Sequence, residues 1–534
     1  MNDPWGQRSD RAIAPTALAT TLDRALARVG DALAVVGTAD APEFLDWEAL
    51  NGERPIGLLP SIRPERLGDP GFLAEHGARY PYVGGAMANG IASAEVVEAL
   101  AGAGMLGIFG AAGLPIARVE AAIDRLGASL GDEVAHGFNL IHSPNDPSLE
   151  DAVVDLYLRK DVRLVEASAY LDLTLPVVRY RTAGIRRGAD GRAEVPNRVM
   201  AKVSRVEVAR KFLAPPPARL VQILVDRGEL TAEQAELCRQ LPMAGDLTAE
   251  ADSGGHTDNQ PAVVLLPTML ALRDQLQAEH RFDRPTRVGA AGGISTPWAA
   301  ASAFAMGAAY IVGGSVHQAC RESGTSDLVR RMLAEARQAD VAMAPAADMF
   351  EMGVKVQVLK RGTMFAMRAA KLYELYRQHA SIEALPPAER ESLEKTLFRA
   401  PLEAIWDQTR VYFQGRDPAQ VDRALRDPKH RLALVFRWYL GQASHWANAG
   451  VADRAIDYQV WCGPSMAAFN DWARGSFLER AEGRGVATVA LNILYGASVL
   501  GRARCLSGQG IALPTGVPTL RPLPAAEIHA LLAD

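Results

Sequence analysis

The sequence predicts an α/β protein whose main domain is a (β/α)8 barrel, or TIM barrel, and three observations lead to that fold class. Short apolar runs alternate with helical patterns eight times between about residues 80 and 316, which indicates parallel β–α–β units. The distance from the first run to the last is close to the roughly 250 residues typical of such a barrel. Paired glycines end the last two runs. A doubly wound open sheet with extra strands is the structural alternative.

The predicted barrel strands are short apolar runs bounded by glycine or polar turns. They span residues 82–87, 105–109, 136–141, 162–167, 198–203, 246–251, 287–291 and 308–312. Helical spacing lies between them, at residues 93–101, 116–126, 149–159, 205–212, 261–277 and 297–306. Ser93 and Thr296 stand at expected N-caps, because a hydroxyl there can accept a hydrogen bond from the first helical turn.

Two insertions interrupt this alternation. Residues 177–180 and 193–198 flank the turn-like Gly188-Ala-Asp-Gly191, which favours a hairpin-like excursion. Pro215-Pro-Pro217 opens a second excursion, with short helices expected at 220–227 and 231–240. The segment Thr231-Ala-Glu-Gln234 resembles a helix N-terminus.

The predicted organisation has three parts. Residues 1–78 form a small N-terminal region, helical around 17–28 and then rich in turns. Residues 79–345 form the barrel, with insertions at about 177–197 and 214–243. Residues 346–534 form a mainly helical region that serves as a lid or binds substrate or a partner, with helical spacing at 365–377, 387–398, 431–449 and 464–481.

Composition excludes several classes of function. The net charge of −5 over 534 residues argues against a general nucleic-acid binder. The four cysteines are far apart and form no CxxC, so we expect a reducing cytoplasm rather than a disulfide framework or a zinc site. Residues 288–316 carry no formal charge, but Pro297 and two glycine pairs break the stretch, so we expect barrel core there and no membrane span.

One glycine motif matches the dinucleotide-binding pattern but does not indicate dinucleotide binding here. Gly102, Gly104 and Gly107 match GxGxxG, yet a helix precedes them and a strand follows. A dinucleotide fingerprint requires the opposite order, so that the phosphate meets a helix N-terminus. We therefore interpret these glycines as a helix end and a turn. The sequence also lacks GxxxxGK[ST], so nothing in it supports ATP chemistry.

The stronger phosphate signal is a pair of loops. Ala290-Ala-Gly-Gly-Ile294 ends the seventh predicted strand and Val312-Gly-Gly-Ser315 ends the eighth. In barrels, these two loops commonly bind phosphate through backbone N–H groups, which glycine allows to approach closely. Tight turns alone are the competing interpretation.

Polar residues at other strand ends are candidate site residues. The loop Glu250-Ala-Asp-Ser-Gly-Gly-His256-Thr-Asp258 places His256 where it can bind a substrate carbonyl or move a proton; a structural histidine is the alternative. Asn139 and Lys202 lie in apolar strands. A lysine there is costly unless an anion is near, so Lys202 either lies beside a bound flavin or pairs with an acid such as Glu250.

These residues together resemble the flavin-dependent family of nitronate monooxygenases (2-nitropropane dioxygenases) and FMN-containing bacterial enoyl reductases. The matching motifs are Gly84-Gly-Ala-Met87, Gly137-Phe-Asn139, Gly254-Gly-His256, Ala290–Ile294 and Gly313-Gly-Ser315. Four longer blocks resemble the PfaD-like subgroup, the trans-acting enoyl reductases of polyketide and polyunsaturated fatty acid synthases. They are residues 86–93, 201–205, 250–258 and 462–470. The resemblance covers the barrel and much of the C-terminal region, whereas roughly the first fifty residues stay unassigned.

The resemblance implies an NAD(P)H- and FMN-dependent enoyl reductase acting on α,β-unsaturated thioesters of an acyl carrier protein. NADPH or NADH would supply the hydride, and His256 would stabilise the thioester oxygen or deliver the proton, with solvent as a competing proton source. The implied FMN-binding residues are, for the ring, Ala86, Met87, Ala88, Asn139, Lys202 and Gly255, and, for the phosphate, Gly292, Gly293, Gly313, Gly314 and Ser315.

Partners and alternative functions follow from the same resemblance. We expect a carrier protein and its polyketide or fatty acid synthase as partners, no nucleic acid and no membrane, while a homodimer stays open. A carrier is acidic, so its docking surface should be basic. Candidates are Arg179, Arg181, Arg186 and Arg187, or Lys355, Lys360, Arg361, Arg368 and Lys371. The alternatives are a nitronate oxidase with His256 as base, a flavin-free scaffold of the synthase, and an aldolase- or isomerase-like phosphate barrel.

Overall fold

The computed structural model describes residues 17–131, 136–143, 147–255 and 257–533. Its N-terminal part contains α1 (Ala17–Ala27), β1 (Leu33–Thr38), β2 (Ala41–Asp46), β3 (Gly57–Leu59) and α2 (Pro70–His76). The three strands form an antiparallel sheet in the order β2-β1-β3. The sequence analysis expected turns after α1 and did not predict these strands. The apolar run of β1 is buried, and its partners are short strands that show no regular alternation of their own.

Within the described residues, eight parallel strands close a barrel in the order β10-β11-β12-β13-β4-β5-β6-β7. In chain order the strands are β4 (Tyr82–Gly84), β5 (Leu106–Phe109), β6 (His136–Ile141), β7 (Leu164–Ser168), the hairpin strands β8 (Arg186–Arg187) and β9 (Ala193–Glu194), β10 (Arg198–Val203), β11 (Asp246–Glu250), β12 (Arg287–Ala291) and β13 (Ile311–Gly313). Each predicted barrel strand overlaps an observed one, so the predicted (β/α)8 fold class is confirmed.

Helices surround the barrel. They are α3 (Ala94–Gly102), α4 (Ile116–Leu130), α5 (Pro147–Arg159), α6 (Leu175–Thr182), α7 (Val206–Leu213), α8 (Ala218–Asp226), α9 (Ala232–Leu237), α10 (Ala262–His280), α11 (Pro297–Ala305), α12 (Ser315–Gln318) and α13 (Asp327–Ala334). Ser93 and Thr296 cap α3 and α11 as predicted. The helix α3 precedes Gly104 and β5 follows it, so this GxGxxG motif does not have the order of a dinucleotide site.

The insertions differ in part from their prediction. Residues 177–180 belong to helix α6 rather than to an extended arm, because the Thr174 hydroxyl caps the Val177 N–H and Pro176 occupies the first turn. The turn at residues 188–191 does join a hairpin, formed by β8 and β9. In the second insertion α8 and α9 are the expected short helices, and Thr231 and Gln234 form a reciprocal capping box.

The C-terminal part begins with a hairpin of β14 (Val341–Pro345) and β15 (Lys355–Leu359). The helices that follow are α14 (Phe365–Gln378), α15 (Pro387–Leu393), α16 (Leu402–Arg416), α17 (Pro418–Arg426), α18 (Pro428–Ala449), α19 (Pro464–Ala473), α20 (Val486–Gly508) and α21 (Ala525–Ala533). One apolar core runs from α1 through the barrel to α20 and α21. A second core lies between the β14–β15 hairpin and helices α14 to α18.

Helix α20 joins the two ends of the chain. Buried Arg502 donates hydrogen bonds to the carbonyls of Ala25, Asp31 and Pro60 in the N-terminal part. Among the helices that the structure describes, α20 alone is long and apolar enough to cross a bilayer. Most of its apolar stretch is buried against other parts of the protein, as in the central helix of a packed core.

Candidate functional site

The carboxyl ends of the parallel strands meet at one face of the barrel, where a buried lysine lies between two carboxylates. Lys202 extends from β10, and its Nζ is 3.2 Å from Glu166 Oε2 on β7 and 3.7 Å from Glu250 Oε1 on β11. These three strands are adjacent in the barrel. The sequence analysis gave two possible partners for Lys202, a bound flavin or an acid such as Glu250. In the structure Lys202 contacts Glu250, but Glu166 is nearer to it.

Burial alone would lower the pKa of Lys202, because a charge in an apolar barrel loses its hydration. The carboxylates of Glu166 and Glu250 outweigh this effect and raise the pKa above its ordinary value. Lys202 is therefore a cation throughout the neutral range. With both carboxylates ionised, the three groups together carry one excess negative charge.

Glu166 is the most enclosed member of this cluster, with no exposed side-chain surface. Its Oε2 accepts the backbone N–H of Ala86 at 3.2 Å as well as the lysine. Its Oε1 is buried and has no hydrogen-bond partner among the described residues. The sequence analysis did not identify Glu166, although its position in an apolar strand could have indicated it. A glutamate inside the apolar run of β7 should have been weighed as Lys202 was, since a buried charge needs a partner.

Asn139 lies on β6 directly opposite Glu166. Its side-chain Nδ2 donates to Glu166 O and to Ser168 Oγ, both at 3.0 Å. Both amide hydrogens are thus used within the barrel, and Oδ1 is the part of the amide that can accept a hydrogen bond from a ligand. The structure therefore brings Asn139, Lys202 and Ala86 together around one glutamate.

The loop after β4 contains Ala86, Met87 and Ala88 and packs on the loop after β5. Met87 O accepts the Ala92 N–H, and Ala88 O accepts the Ile91 N–H, which closes a compact turn. Gly110 of the neighbouring loop lies so close that a Cβ there would be 1.8 Å from Met87 O. The backbone of Ala86–Ala88 is consequently held at the barrel mouth by contacts on both sides.

The two glycine loops adjoin each other because β12 pairs with β13 at Ala290 and Ile311. Gly292 and Gly293 have φ of +81° and +77°, a conformation that favours glycine. A Cβ at Gly292 would collide with Ala251, whereas nothing lies within 4 Å of a Cβ at Gly293 or Gly314. Both loops thus expose backbone to open space, with Gly313 and Ser315 on either side of Gly314.

Two more polar groups beside these loops lack partners. Ser295 Oγ, directly after the first loop, is buried without a hydrogen bond to any described residue. His317 follows the second loop in α12; its Nε2 lies 2.9 Å from the hydroxyl of Tyr82, while its Nδ1 has no partner in the described part of the chain. Burial lowers the pKa of His317 to about 4, so its imidazole is neutral at pH 7.

His256 itself lies outside the described residues, but the loop that carries it is held on both sides. Asp258 accepts two hydrogen bonds from Arg205, each at 2.8 Å, and one from Ser204. The hydrogen bonds from Arg205 lower the pKa of Asp258. On the other side, Asp252 accepts a hydrogen bond from Gln357 Nε2 at 2.6 Å.

The C-terminal part covers this loop. Gln357 lies on β15, and a Cβ at Gly254 would be 3.4 Å from the backbone nitrogen of Cys462. A Cβ at Gly255 would be 3.8 Å from Glu250 Oε1, so this glycine lies beside the lysine cluster. In the sequence analysis, residues 462–470 were only a block that resembles the family. In the structure, the first residues of this block pack on the loop at residues 250–258, called here the histidine loop.

A second histidine at the mouth was also missed. His142 follows β6, stacks on Tyr170 at 5.3 Å and lies 3.2 Å from Glu150 Oε2. Tyr170 donates to the other oxygen of Glu150 at 2.8 Å. The sequence signal was its position three residues after Asn139, at a strand end. His142, Tyr170 and the buried Glu150 thus form one group of contacting side chains.

Comparison with known proteins gives a consistent set of relatives. The chain is 48% identical over 483 residues to a polyunsaturated fatty acid synthase subunit of a Thraustochytrium species, covering 88% of this chain and 32% of that protein. It is 43% identical over 439 residues to the polyketide biosynthesis protein PksE of Bacillus subtilis, covering 82% and 57% respectively. The chain thus spans less than two thirds of the length of these curated relatives.

A solved structure matches over its whole length. The enoyl reductase domain of MlnA, from the macrolactin biosynthesis cluster of Bacillus amyloliquefaciens, is 38% identical with a TM-score of 0.79, covering 82% of this chain and 99% of that domain. Residues 379–458 also match the inserted helical domain of [acyl-carrier-protein] S-malonyltransferases. That segment runs from the end of α14 to just after α18, inside the second core.

Proposed function

The chain belongs to the PfaD-like enoyl reductases of polyketide and polyunsaturated fatty acid synthases, and we propose that it reduces α,β-unsaturated thioesters carried by an acyl carrier protein. FMN would be its cofactor and NADPH or NADH its hydride donor. The observation that carries this proposal is a largely buried lysine at the same barrel mouth as two glycine loops with open space beside them. Its similarity to an enoyl reductase domain over 99% of that domain supports the reaction type.

The described residues fit an FMN. Open space beside Gly293 and Gly314 leaves room for an anion against backbone N–H groups, as barrels bind phosphates after their last two strands. Ser295 Oγ is a buried hydroxyl that still needs a hydrogen-bond partner. We therefore assign the phosphate to Gly292, Gly293, Gly313, Gly314 and Ser315.

The ring of FMN would lie at the lysine cluster. The backbone of Ala86–Ala88, the Asn139 Oδ1 and Gly255 would contact it, and Lys202 would place a positive charge beside it. When bound, FMN supplies hydride transfer to the β-carbon of the substrate. Glu166 keeps the Lys202 ammonium and the Ala86 N–H in place, because one of its oxygens binds both.

His256 is the proposed catalytic residue. It would donate a hydrogen bond to the thioester oxygen or a proton to the α-carbon, with solvent as the competing proton source. The Arg205–Asp258 and Gln357–Asp252 contacts would hold its loop against the site, and the segment around Cys462 would exclude water from it. Retention of full turnover by His256→Ala would remove this role.

One experiment separates this function from its alternatives. The absorption spectrum of the purified protein should show flavin bands that bleach on anaerobic addition of NADPH and return when crotonyl-N-acetylcysteamine is added. Reoxidation by oxygen together with consumption of a nitronate, but not by the thioester, would indicate a nitronate oxidase. A colourless protein that does not bind added FMN would leave only the scaffold function or a phosphate barrel.

The phosphate assignment has its own test. Gly314→Ala places a methyl group in the open space, and Gly314 does not have the positive φ that favours glycine. We expect about tenfold weaker FMN binding in fluorescence titrations, from the loss of about one charge-assisted hydrogen bond. Gly441→Ala, within helix α18 and also with nothing near its Cβ, is the matched control and should leave FMN affinity unchanged.

A further inference from the structure

A cavity of about 510 Å³ lies in the C-terminal part, between the β14–β15 hairpin and helix α14. The hairpin contributes Met343, Pro345 and Lys355 to its lining. The helix contributes Ala370, Tyr373, Glu374, Arg377 and Gln378, which follow one another at helical spacing on one face. The cavity is therefore built from two regular elements of the second core rather than from loops.

Two cations of this cavity have no ionic partner. The side chains of Lys355 and Arg377 form no hydrogen bond or ion pair with any residue that the structure describes, and both are exposed. The lining also includes one acid, Glu374, whose Oε1 accepts a hydrogen bond from Gln378 at 3.2 Å. The lining thus carries a net positive charge.

The other candidate basic residues contrast with these two. Arg179 pairs with Asp155 and Glu229, Arg186 with Glu194, and Arg187 with Glu233. Arg181 is buried and donates to the carbonyls of Asn197 and Pro242. In the second candidate patch Arg361, Arg368 and Lys371 are paired with Glu335, Asp457 and Glu389. Most predicted docking cations are therefore already engaged within the chain.

The cavity adjoins the cover of the candidate site. Lys355 and Gln357 are two residues apart on β15, so their side chains lie on the same face, roughly 7 Å apart along the strand. Gln357 contacts Asp252 in the histidine loop, whereas Lys355 lines the cavity. An extended ligand can therefore have a charged group at Lys355 while its other end reaches towards the barrel mouth.

The apolar lining fits the same kind of ligand. Met343 is 42% exposed, and Met367, three residues before Ala370 on α14, is 66% exposed. Exposed methionines are typical of surfaces that bind flexible apolar groups, because the side chain adapts its shape. Met367 lies outside the lining, one helical turn before Ala370, whereas Met343, Pro345, Ala370 and Tyr373 give the cavity apolar walls beside two unpaired cations.

We propose that this cavity binds the phosphopantetheine arm of the carrier protein, with Lys355 and Arg377 holding the phosphodiester. The arm combines one phosphate with a branched apolar segment and amides, and it ends in the thioester that must reach the barrel mouth. This inference rests on the proposed function, because it assigns to the cavity the binding of the arm that carries the proposed thioester substrate.

The test compares two substrates that differ only in the phosphate. Crotonyl-4′-phosphopantetheine and crotonyl-pantetheine are given to the wild-type protein and to the variant Lys355→Glu/Arg377→Glu. We expect the wild type to have about a tenfold lower KM for the phosphorylated substrate, as charge-assisted contacts provide. The variant should lose this preference and keep its kcat for crotonyl-pantetheine.

A matched control is Arg118→Glu/Lys395→Glu. Both side chains are exposed, neither lines the cavity, and neither has a partner in the described part of the chain. This double variant changes the net charge by the same amount and should retain the wild-type preference. Equal loss in both variants would show a general charge effect and overturn the proposal, as would a wild type that does not distinguish the two substrates.

A binding measurement separates failure of this inference from failure of the proposed function. Calorimetric titration with 4′-phosphopantetheine should show binding to the wild type and the control, and at least tenfold weaker binding to the Lys355→Glu/Arg377→Glu variant. If neither crotonyl substrate is reduced, the proposed function fails while this titration still tests the cavity. Absence of phosphopantetheine binding to the wild type overturns the cavity proposal alone.

Discussion

Strand β11 begins with the carboxylate of Asp246 and ends with that of Glu250, and the two carboxylates have different partners at the two ends of the barrel. At the amino end, Asp246 Oδ1 is 2.6 Å from Arg287 and Oδ2 is 2.8 Å from His76. At the carboxyl end, Glu166 and Glu250 both lie beside Lys202, and Glu166 Oε1 has no partner in the described residues.

This difference suggests that the Asp246 cluster stabilises the fold and that the Glu166 cluster belongs to the candidate functional site. A buried charge with a partner on each oxygen is held in one geometry and needs no ligand. Burial tends to raise the pKa of Asp246, but the bonds from His76 and Arg287 outweigh it and lower that pKa. A buried carboxylate with one unpartnered oxygen, as in Glu166, is costly by itself. Such a cluster lies at the barrel face where active sites are found.

The largest expected effect is at the amino end. Asp246→Asn removes the buried charge that binds Arg287 and His76, and breaking such a buried pair costs about 4 kcal/mol. We expect the urea midpoint of unfolding to fall accordingly, while any FMN affinity measured for the wild type is retained by the folded variant. A loss below about 1 kcal/mol would show that this cluster does not stabilise the barrel.

A second prediction concerns His317, which is buried at the carboxyl end beside the second glycine loop. Its pKa is about 4 when folded, against an ordinary value of about 6.5, so only the unfolded chain binds the proton between these values. The free energy of unfolding should therefore fall as the pH drops from about 6.5 to about 4, by up to about 3 kcal/mol from this group.

The measurement is a series of urea unfolding curves between about pH 7 and pH 4, the window that the two pKa values define. His317→Gln keeps a polar group near Tyr82 but does not titrate, so its stability should depend less steeply on pH in that window. Other carboxylates titrate in both proteins, and the difference between the two curves isolates the histidine. Parallel curves would contradict the prediction.

The smallest effect on stability is expected at the lysine cluster. Glu166→Gln is the matched counterpart of Asp246→Asn, yet it should change the free energy of unfolding by no more than about 1 kcal/mol, because Lys202 keeps Glu250 as a partner and a buried charge with an unpartnered oxygen is removed. If FMN lies beside Lys202, losing that charge should raise the midpoint potential of bound FMN by about 30 mV, a factor of ten for two electrons. An unchanged midpoint potential in a spectroelectrochemical titration would show that the flavin ring does not lie beside Lys202.

Local sequence patterns predicted much of this molecule. The alternation of apolar runs and helical spacing located all eight barrel strands to within a few residues, because burial on both faces imposes that pattern on each strand. The glycine loops were located for a similar reason, since Gly292 and Gly293 adopt positive φ at a strand end. Lys202 was recognised because an isolated charge in an apolar run is unusual.

Other features depended on contacts between distant segments. Residues 177–180 were interpreted as one arm of a hairpin because, with residues 193–198, they flank a turn-like segment, whereas the Thr174 cap begins helix α6 there. The antiparallel sheet of β1–β3 has short strands whose pairing is not visible in any one of them. The domain boundaries and the role of each site residue stay predictions.

The sequence alone determined the barrel, its order of elements and the places where a phosphate and a catalytic histidine are expected, because these follow from residues that are neighbours in the chain. The tertiary structure decided which charges meet. Closure of the barrel sets the register that brings Glu166 to Lys202, and packing of the C-terminal part places Gln357 on the histidine loop and Lys355 in a cavity. Such pairings depend on distances across the fold that no local pattern encodes.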